Sequence, residues 1–217
     1  AVVGSKKAAD LSDLQGHTLN SDRVIFVGPG ITVTDRAATP TPENPNREAK
    51  LSGAYTAAAV AGLIASFEPH TSPTNKVLNV NGLETVFSTP QLRSLVQSRV
   101  LALEKRDGFR IVKGITTSTD TAWHQITTRR IVDYAKAGVR SAANPFIGKL
   151  NNERVRGALR SSINSFLADM IESEMLISYE LDVSATRQQE IRGIVQVTMV
   201  LRPTFSIDFI RVTIFLE

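Results

Sequence analysis

Val195, Val197, Met199 and Leu201 fall on one side of an extended chain, with Gln196 and Thr198 on the other, which is the alternation of a half-buried strand. Arg202-Pro203 interrupts it, because proline fixes φ and removes a ladder donor. Beyond the proline, Ile210, Val212, Ile214 and Leu216 point one way and Arg211 and Thr213 the other, predicting a second strand. A long apolar strand at that position is either tucked into its own sheet or offered to the sheet edge of another molecule.

The rest of the chain predicts strands alternating with helices, an α/β arrangement in the first part. Residues 1–22 are polar and poorly periodic. Arg23-Val24-Ile25-Phe26-Val27 reads as a buried strand ending in the turn Gly28-Pro29-Gly30, followed by extended residues 31–35. Residues 37–47 carry three prolines and form an exposed loop. Ser52 caps an alanine-rich helix over 53–67, whose small residues allow a close approach to a sheet or helix and whose Tyr55 reads as a packing residue. Residues 77–80 and 85–88 are short extended candidates. Thr89-Pro90 opens a helix predicted to run through Leu92, Leu95, Val96, Val100 and Leu103 to the Asp107-Gly108 stop, and residues 109–117 predict a strand.

In the second part, Thr127 or Thr128 caps a helix bearing Ile131, Tyr134, Ala135 and Val139. After Asn144-Pro145 another helix carries Val155, Leu159, Ile163, Phe166, Leu167, Met170 and Ile171 on one broad face. A strand follows over 176–183, then a polar turn at 186–190 and the closing strands, so this part is α+β in character.

With 42% hydrophobic and 21% charged residues among 217, the chain has the composition of an ordinary globular protein. The absence of cysteine removes disulfides, thiolate metal sites and thiol nucleophiles together. No apolar run is long enough to span a bilayer, the first residues do not read as a signal peptide, and the missing initiator methionine suggests a piece of something longer. Net charge is +4, too modest to name nucleic acid as a partner. Its distribution says more: Arg129, Arg130, Lys136, Arg140, Lys149, Arg154, Arg156 and Arg160 face only Asp133 and Glu153, whereas 161–186 is free of basic residues and holds Asp169, Glu172, Glu174, Glu180 and Asp182. Such blocks suit docking between copies or to an acidic partner, and equally describe solvated helix faces.

Candidate chemistry is sparse. His17, His70 and His124 lack metal-ligand spacing, no GxSxG elbow is present, and Glu172 and Glu174 are two apart and so lie on different helix faces. The Gly28-Pro29-Gly30 turn lacks the third glycine of a dinucleotide fingerprint and any GK[ST]. The expectation is therefore no catalytic residues, no metal and no cofactor, with an α/β hydrolase-like or nucleotide-binding enzyme as the alternative.

Several blocks taken in order carry a family resemblance: SGAYTAAAVAGLIA, TNKVLNVNGLE, GFRIVKGITT, ITTRRIVDYAKAGVR, FIGKLNNERVRGALRSSINSFL and GIVQVTMVLRPTFSIDFIRVTIFLE. From about Asp22 onward the chain resembles the C-terminal half of contractile tail sheath proteins of myophages, R-type tailocins and related injection systems. The resemblance implies a helical homopolymer around an inner tail tube protein, which contracts to drive the tube through a target envelope. Baseplate and tail terminator would be further partners, with no nucleic acid and no membrane insertion. The particle would be a virion tail or its equivalent, built in the bacterial host cytoplasm. It also implies a partial middle α/β domain, subtilisin-like but without catalytic residues, over 1–112. A helix-plus-sheet tube-proximal domain over 113–217 would follow, with 205–217 as an extended exchange arm. Ile207, Phe209, Ile210, Val212, Ile214 and Leu216 would form the intersubunit strand. Lys149, Arg154, Arg156 and Arg160 would meet the tube or another subunit, and Glu172 and Glu174 would make acidic intersubunit contacts. No counterpart of the family's N-terminal arm is recognisable.

Overall fold

The computed structural model describes residues 1–215 and divides into two compact units, one of residues 1–127 with the returning segment from Ser206, the other Thr128–Phe205. The position between Val112 and Lys113 lies inside the first unit.

The first unit is mixed α/β. A five-stranded sheet has the order β1 (Val2–Gly4), β2 (Ile25–Gly28), β7 (Val100–Lys105), β8 (Phe109–Ile111), β5 (Val77–Leu78), parallel from β1 to β7 and antiparallel thereafter. A three-stranded antiparallel sheet joins β4 (Glu48–Lys50), β3 (Ile31–Thr34) and β6 (Gly82–Leu83). Helix α2 (Gly53–Ala65) buries Ala57, Val60 and Ile64 in a cluster with Val27, Leu101, Leu103 and Ile111. On a second cluster, α1 (Leu11–Gln15) and α3 (Thr89–Gln97) place Leu14, Leu92 and Leu95 beside Val100 and Ala102.

Three expectations for this unit are corrected. The helix predicted through Leu103 ends at Gln97; Arg99 takes a positive φ of 63°, and Val100–Lys105 is the central strand β7. Val100, Leu101, Ala102 and Leu103 are fully buried, and an apolar run covered on both faces has no strand alternation to betray it. The short strand lies at Gly82–Leu83, and 85–88 is not a strand. Tyr55 is 57% exposed and lies outside the core. Within 1–22, β1 and α1 emerge from a polar stretch, α1 held by a reciprocal capping box between Asp10 and Asp13.

The second unit consists chiefly of two helices and a hairpin. Helix α4 (Ile126–Ala143) begins before the threonines expected to cap it, and Thr127 and Thr128 are buried within its first turn. Helix α5 (Glu153–Glu172) is capped by Asn152, whose side chain accepts from the Val155 amide. Gly138 of α4 lies where any Cβ would meet the Phe166 ring of α5, which lets the helices approach closely. Ile131, Ala135, Leu159, Ile163, Leu167 and Met170 form the core. Over it lies the antiparallel pair β9 (Leu176–Ser184) and β10 (Gln196–Pro203), with Thr186 and Gln189 capping the short helix α6 (Arg187–Ile191) where a turn is expected. The register shifts between Arg202 and Pro203, where the ladder ends. Among the described residues no helix is long and apolar enough to cross a membrane.

Candidate assembly surfaces

Strand β9 pairs only with β10 and β10 only with β9 among the described residues, so this two-stranded sheet of nine and eight residues has two open edges. Tyr179, Leu181 and Val183 from β9, with Val197, Met199 and Leu201 from β10, turn toward the helices but are only half-buried. A two-stranded sheet is marginal alone and gains from further strands. Beside β10 a groove of about 300 Å³ is lined by Phe146, Leu150, Val155, Leu159, Val195 and Val197, with Lys149, Asn151 and Arg156 adding polar groups. Ile147 and Leu150 at its rim are 80% and 79% exposed.

The segment after β10 leaves the ladder. Thr204 still bonds to the Met175 carbonyl, but residues 204–215 form no strand. Ile207, Phe209, Ile210, Val212 and Ile214 are between 74% and 82% exposed, and Leu216 lies outside the described residues. That is a long run of large apolar side chains left in water, with its backbone unpaired.

The charged candidates separate by environment. Arg156 forms an ion pair with Glu190 at 2.8 Å and donates to Asn151 Oδ1 at 3.0 Å, and Asn151 in turn donates to the Ile194 carbonyl. Arg156 and then Arg187 hold the Glu190 carboxyl below its ordinary pKa. Arg160 donates to the Leu181 carbonyl at 3.1 Å, and Lys149 stands 4.6 Å from the centroid of the Phe146 ring. Arg154 is exposed near the start of α5, Glu172 is exposed at its end and Glu174 is exposed just beyond it. Arg154 and Glu172 are therefore separated by roughly 27 Å along the helix axis, a basic pole and an acidic pole on one rod.

Among the described residues of the first unit no reaction centre is assembled. At Gly30, a Cβ would meet the Leu51 carbonyl and Glu84 Oε2, so the glycine turn closes on its own chain with a buried carboxylate beside it. That arrangement fills the space in which a nucleotide fold would cradle a phosphate. No group of three metal-ligating side chains occurs among the described residues.

His17 and His124 are structural. His17 Nε2 lies 2.7 Å from the Ser98 carbonyl, and its buried Nδ1 has no partner, which suits a neutral ring. Burial lowers the pKa of both, with Arg99 adding to the effect at His17 and Lys113 at His124, against an opposing pull from Asp208 on the latter. Folded values below the unfolded one mean that the unfolded chain takes up protons first as pH falls through about 6.5. Stability is therefore full above that value and declines below it. The carboxyls Asp13 and Glu190, also held low, lose their contribution only at more acidic pH. The melting temperature is expected to drop between pH 7 and 5, and the drop should flatten when His17 and His124 are both replaced by asparagine.

Residues 118–217 match the family described as phage tail sheath C-terminal domain. Curated protein sequences contain no match. Among solved structures, a chain of the anti-feeding prophage baseplate superposes with a TM-score of 0.78 at 17% identity, over 100% of this chain and 60% of that one. A chain of the contracted anti-feeding prophage helical sheath gives 0.77 at 17% identity, over 100% and 61%. The contracted PVC sheath complex, from an extracellular contractile injection system, gives 0.77 at 15%, over 100% and 64%. A sheath tail protein of Listeria innocua gives 0.66 at 16%, over 86% and 44%. The chain thus spans less than two thirds of the length of each of these relatives.

Proposed function

We propose, from the match of residues 118–217 to the phage tail sheath C-terminal domain family, that the chain is a structural subunit of a contractile sheath, polymerising helically around an inner tube and without enzymatic activity. The observation that carries the reading is the pairing of a vacancy with its complement. The β9–β10 sheet has two open edges over a half-covered apolar face, and the chain also carries an exposed apolar strand-former that pairs with nothing of its own. When the strand of one copy completes the sheet of the next, both sets of unpaired backbone groups are satisfied.

Side-chain parity supports this. Ile210, Val212, Ile214 and Leu216 share one face of an extended chain, and an added strand would turn that row toward the helices beside Val197, Met199 and Leu201. Repetition of one such head-to-tail contact generates a helix without limit. The subunits stay joined through the donated strand while the lattice rearranges, so contraction needs only two packings of different free energy and no nucleotide.

The inner tube is the second partner. Lys149, in the loop before α5, and Arg154, in its first turn, are the exposed cations best placed to meet it; Arg156 is engaged with Asn151 and Glu190, and Arg160 donates to the Leu181 carbonyl of β9. Glu172 and Glu174, at the far end of the helix, offer the complementary sign to a neighbouring subunit. The baseplate and a tail terminator would bound the polymer in a virion tail or its equivalent, assembled in a bacterial host. Negative-stain microscopy of the full-length protein should show striated sleeves, and co-assembly with the tube should weaken in Arg154→Glu at low salt while sleeves persist. Dispersed monomers under all conditions, with tube present, would overturn the sheath reading.

A further inference from the structure

Within the exposed run from Phe205 to Phe215 one charged side chain is withdrawn from solvent: that of Asp208 is only 8% exposed. Three segments remote in sequence converge on its carboxylate. Thr74 Oγ1 donates to Oδ1 at 3.1 Å, Gln125 Nε2 donates to Oδ2 at 3.0 Å, and Lys113 Nζ stands 3.4 Å from Oδ2. The Thr74 hydroxyl is oriented for this, since it already accepts from the Gly114 amide at 3.0 Å and from the Ser72 hydroxyl at 3.0 Å. Gln125 also grips the backbone two residues earlier: its Oε1 accepts from the Ser206 amide and its Nε2 donates to the Ser206 carbonyl, both at 3.1 Å. One glutamine thus imitates a strand neighbour at Ser206 and secures the carboxylate at Asp208. Lys113 Nζ also stands 5.2 Å from the centroid of the Phe209 ring.

We propose that Asp208 is the stop that divides this segment into a root clasped to its own subunit, Ser206 to Asp208, and a strand donated to a second copy that begins only after it. The donated-strand half rests on the sheath reading; the clasp does not. Parity gives a further reason for the boundary. Asp208 lies on the same side of an extended chain as Ile210, Val212 and Ile214, so extending the donated strand back by two residues would put a carboxylate into the apolar face of the recipient sheet. Burying an unpaired charge there is costly, whereas in the clasp every oxygen has a partner. The exchange arm expected over 205–217 is thereby shortened: Ile207 belongs to the root and Phe209 to the junction. Asp208 is a positioning residue, setting where and in what direction each subunit releases its strand.

The absence of cysteine makes the test clean, because single nitroxide labels can be placed at will. Ile207→Cys and Ile214→Cys, labelled in unpolymerised full-length protein, should give a slow and a fast spectrum respectively. Asp208→Ala should mobilise the label at 207, leave that at 214 unchanged, lower the melting temperature because Lys113 loses its buried partner, and reduce sleeve yield about tenfold or more. Exchanging the charges with Lys113→Asp and Asp208→Lys should recover part of both the immobilisation and the yield, which general destabilisation would not. A label at 207 as mobile as that at 214 in the otherwise unaltered protein overturns the clasp. Undiminished sleeves from Asp208→Ala overturn its role in positioning the strand. If the unaltered protein forms no sleeves, the sheath reading fails instead, while the label at 207 still decides whether the root is clasped.

Discussion

Removal of every residue from Ile210 onward should leave a folded protein that no longer polymerises. Ile210, Val212, Ile214 and Phe215 are between 74% and 87% exposed, so truncation takes little from the core of the subunit. Changes confined to such positions usually stay within about 0.5 kcal/mol, a shift of roughly 1–2 °C for a chain of this size. The effect on assembly is of another order. Burying one Val, Ile or Phe side chain contributes about 1.5–3 kcal/mol, while fixing the backbone costs about 1–2 kcal/mol per residue. A free peptide of this sequence would therefore gain little net from an open sheet edge. The same strand tethered at Asp208 has part of its ordering cost met beforehand, and in a lattice every subunit repeats the contact. Its loss should abolish sleeves outright, not merely weaken them. Circular dichroism and melting separate this outcome from the alternative, in which the last strand belongs to the subunit's own sheet and truncation unfolds the protein.

Legibility of the fold tracked how far each element exposes a face. Helices α2, α4 and α5 and strands β9 and β10 each have one covered and one wet side, and their periodicity is plain in the sequence. Strand β7 is buried on both sides, so Val100, Leu101 and Leu103 can be read equally well as the tail of a helix. The left-handed conformation at Arg99, which ends that helix, leaves no sequence signal, since glycine and asparagine are the usual occupants. Strand β1 is three residues long, below the length at which a pattern exists. Of the assembly surfaces, the exposed arm was legible as an apolar strand with no evident home. The clasp was not, because Thr74, Lys113 and Gln125 come together only in the fold. Its one trace is a lone acid in the run Ile207-Asp208-Phe209-Ile210, an anomaly that periodicity alone treats as noise. The basic cluster was legible as charge but not as function: Arg156 is half-buried and paired within its own unit, whereas Arg154 and Arg160 are exposed, Arg160 with a bond to the Leu181 carbonyl.

Gly4→Ala should be among the most destabilising single-methyl changes available to this protein. Strand β1 crosses the start of α2 so closely that a Cβ at Gly4 would fall on the Gly53 carbonyl and the Ala54 amide, and a Cβ at Gly53 would meet the Ser5 backbone and hydroxyl. Backbone cannot rotate aside as a side chain can, so β1 must lift from the helix or from β2, with which it pairs in parallel. Overpacking of this kind costs about 1–3 kcal/mol. The matched control lies in the same helix: Gly62 has open space where its Cβ would stand, so Gly62→Ala should add stability, up to about 1 kcal/mol from helix propensity. Two identical substitutions, at the paired strand beside the helix start and late in the same helix, should thus move the denaturation midpoint in opposite directions. A Gly4→Ala protein as stable as the original would mean that β1 does not dock on α2, and that the close approach of two glycines does not hold this edge of the sheet in place.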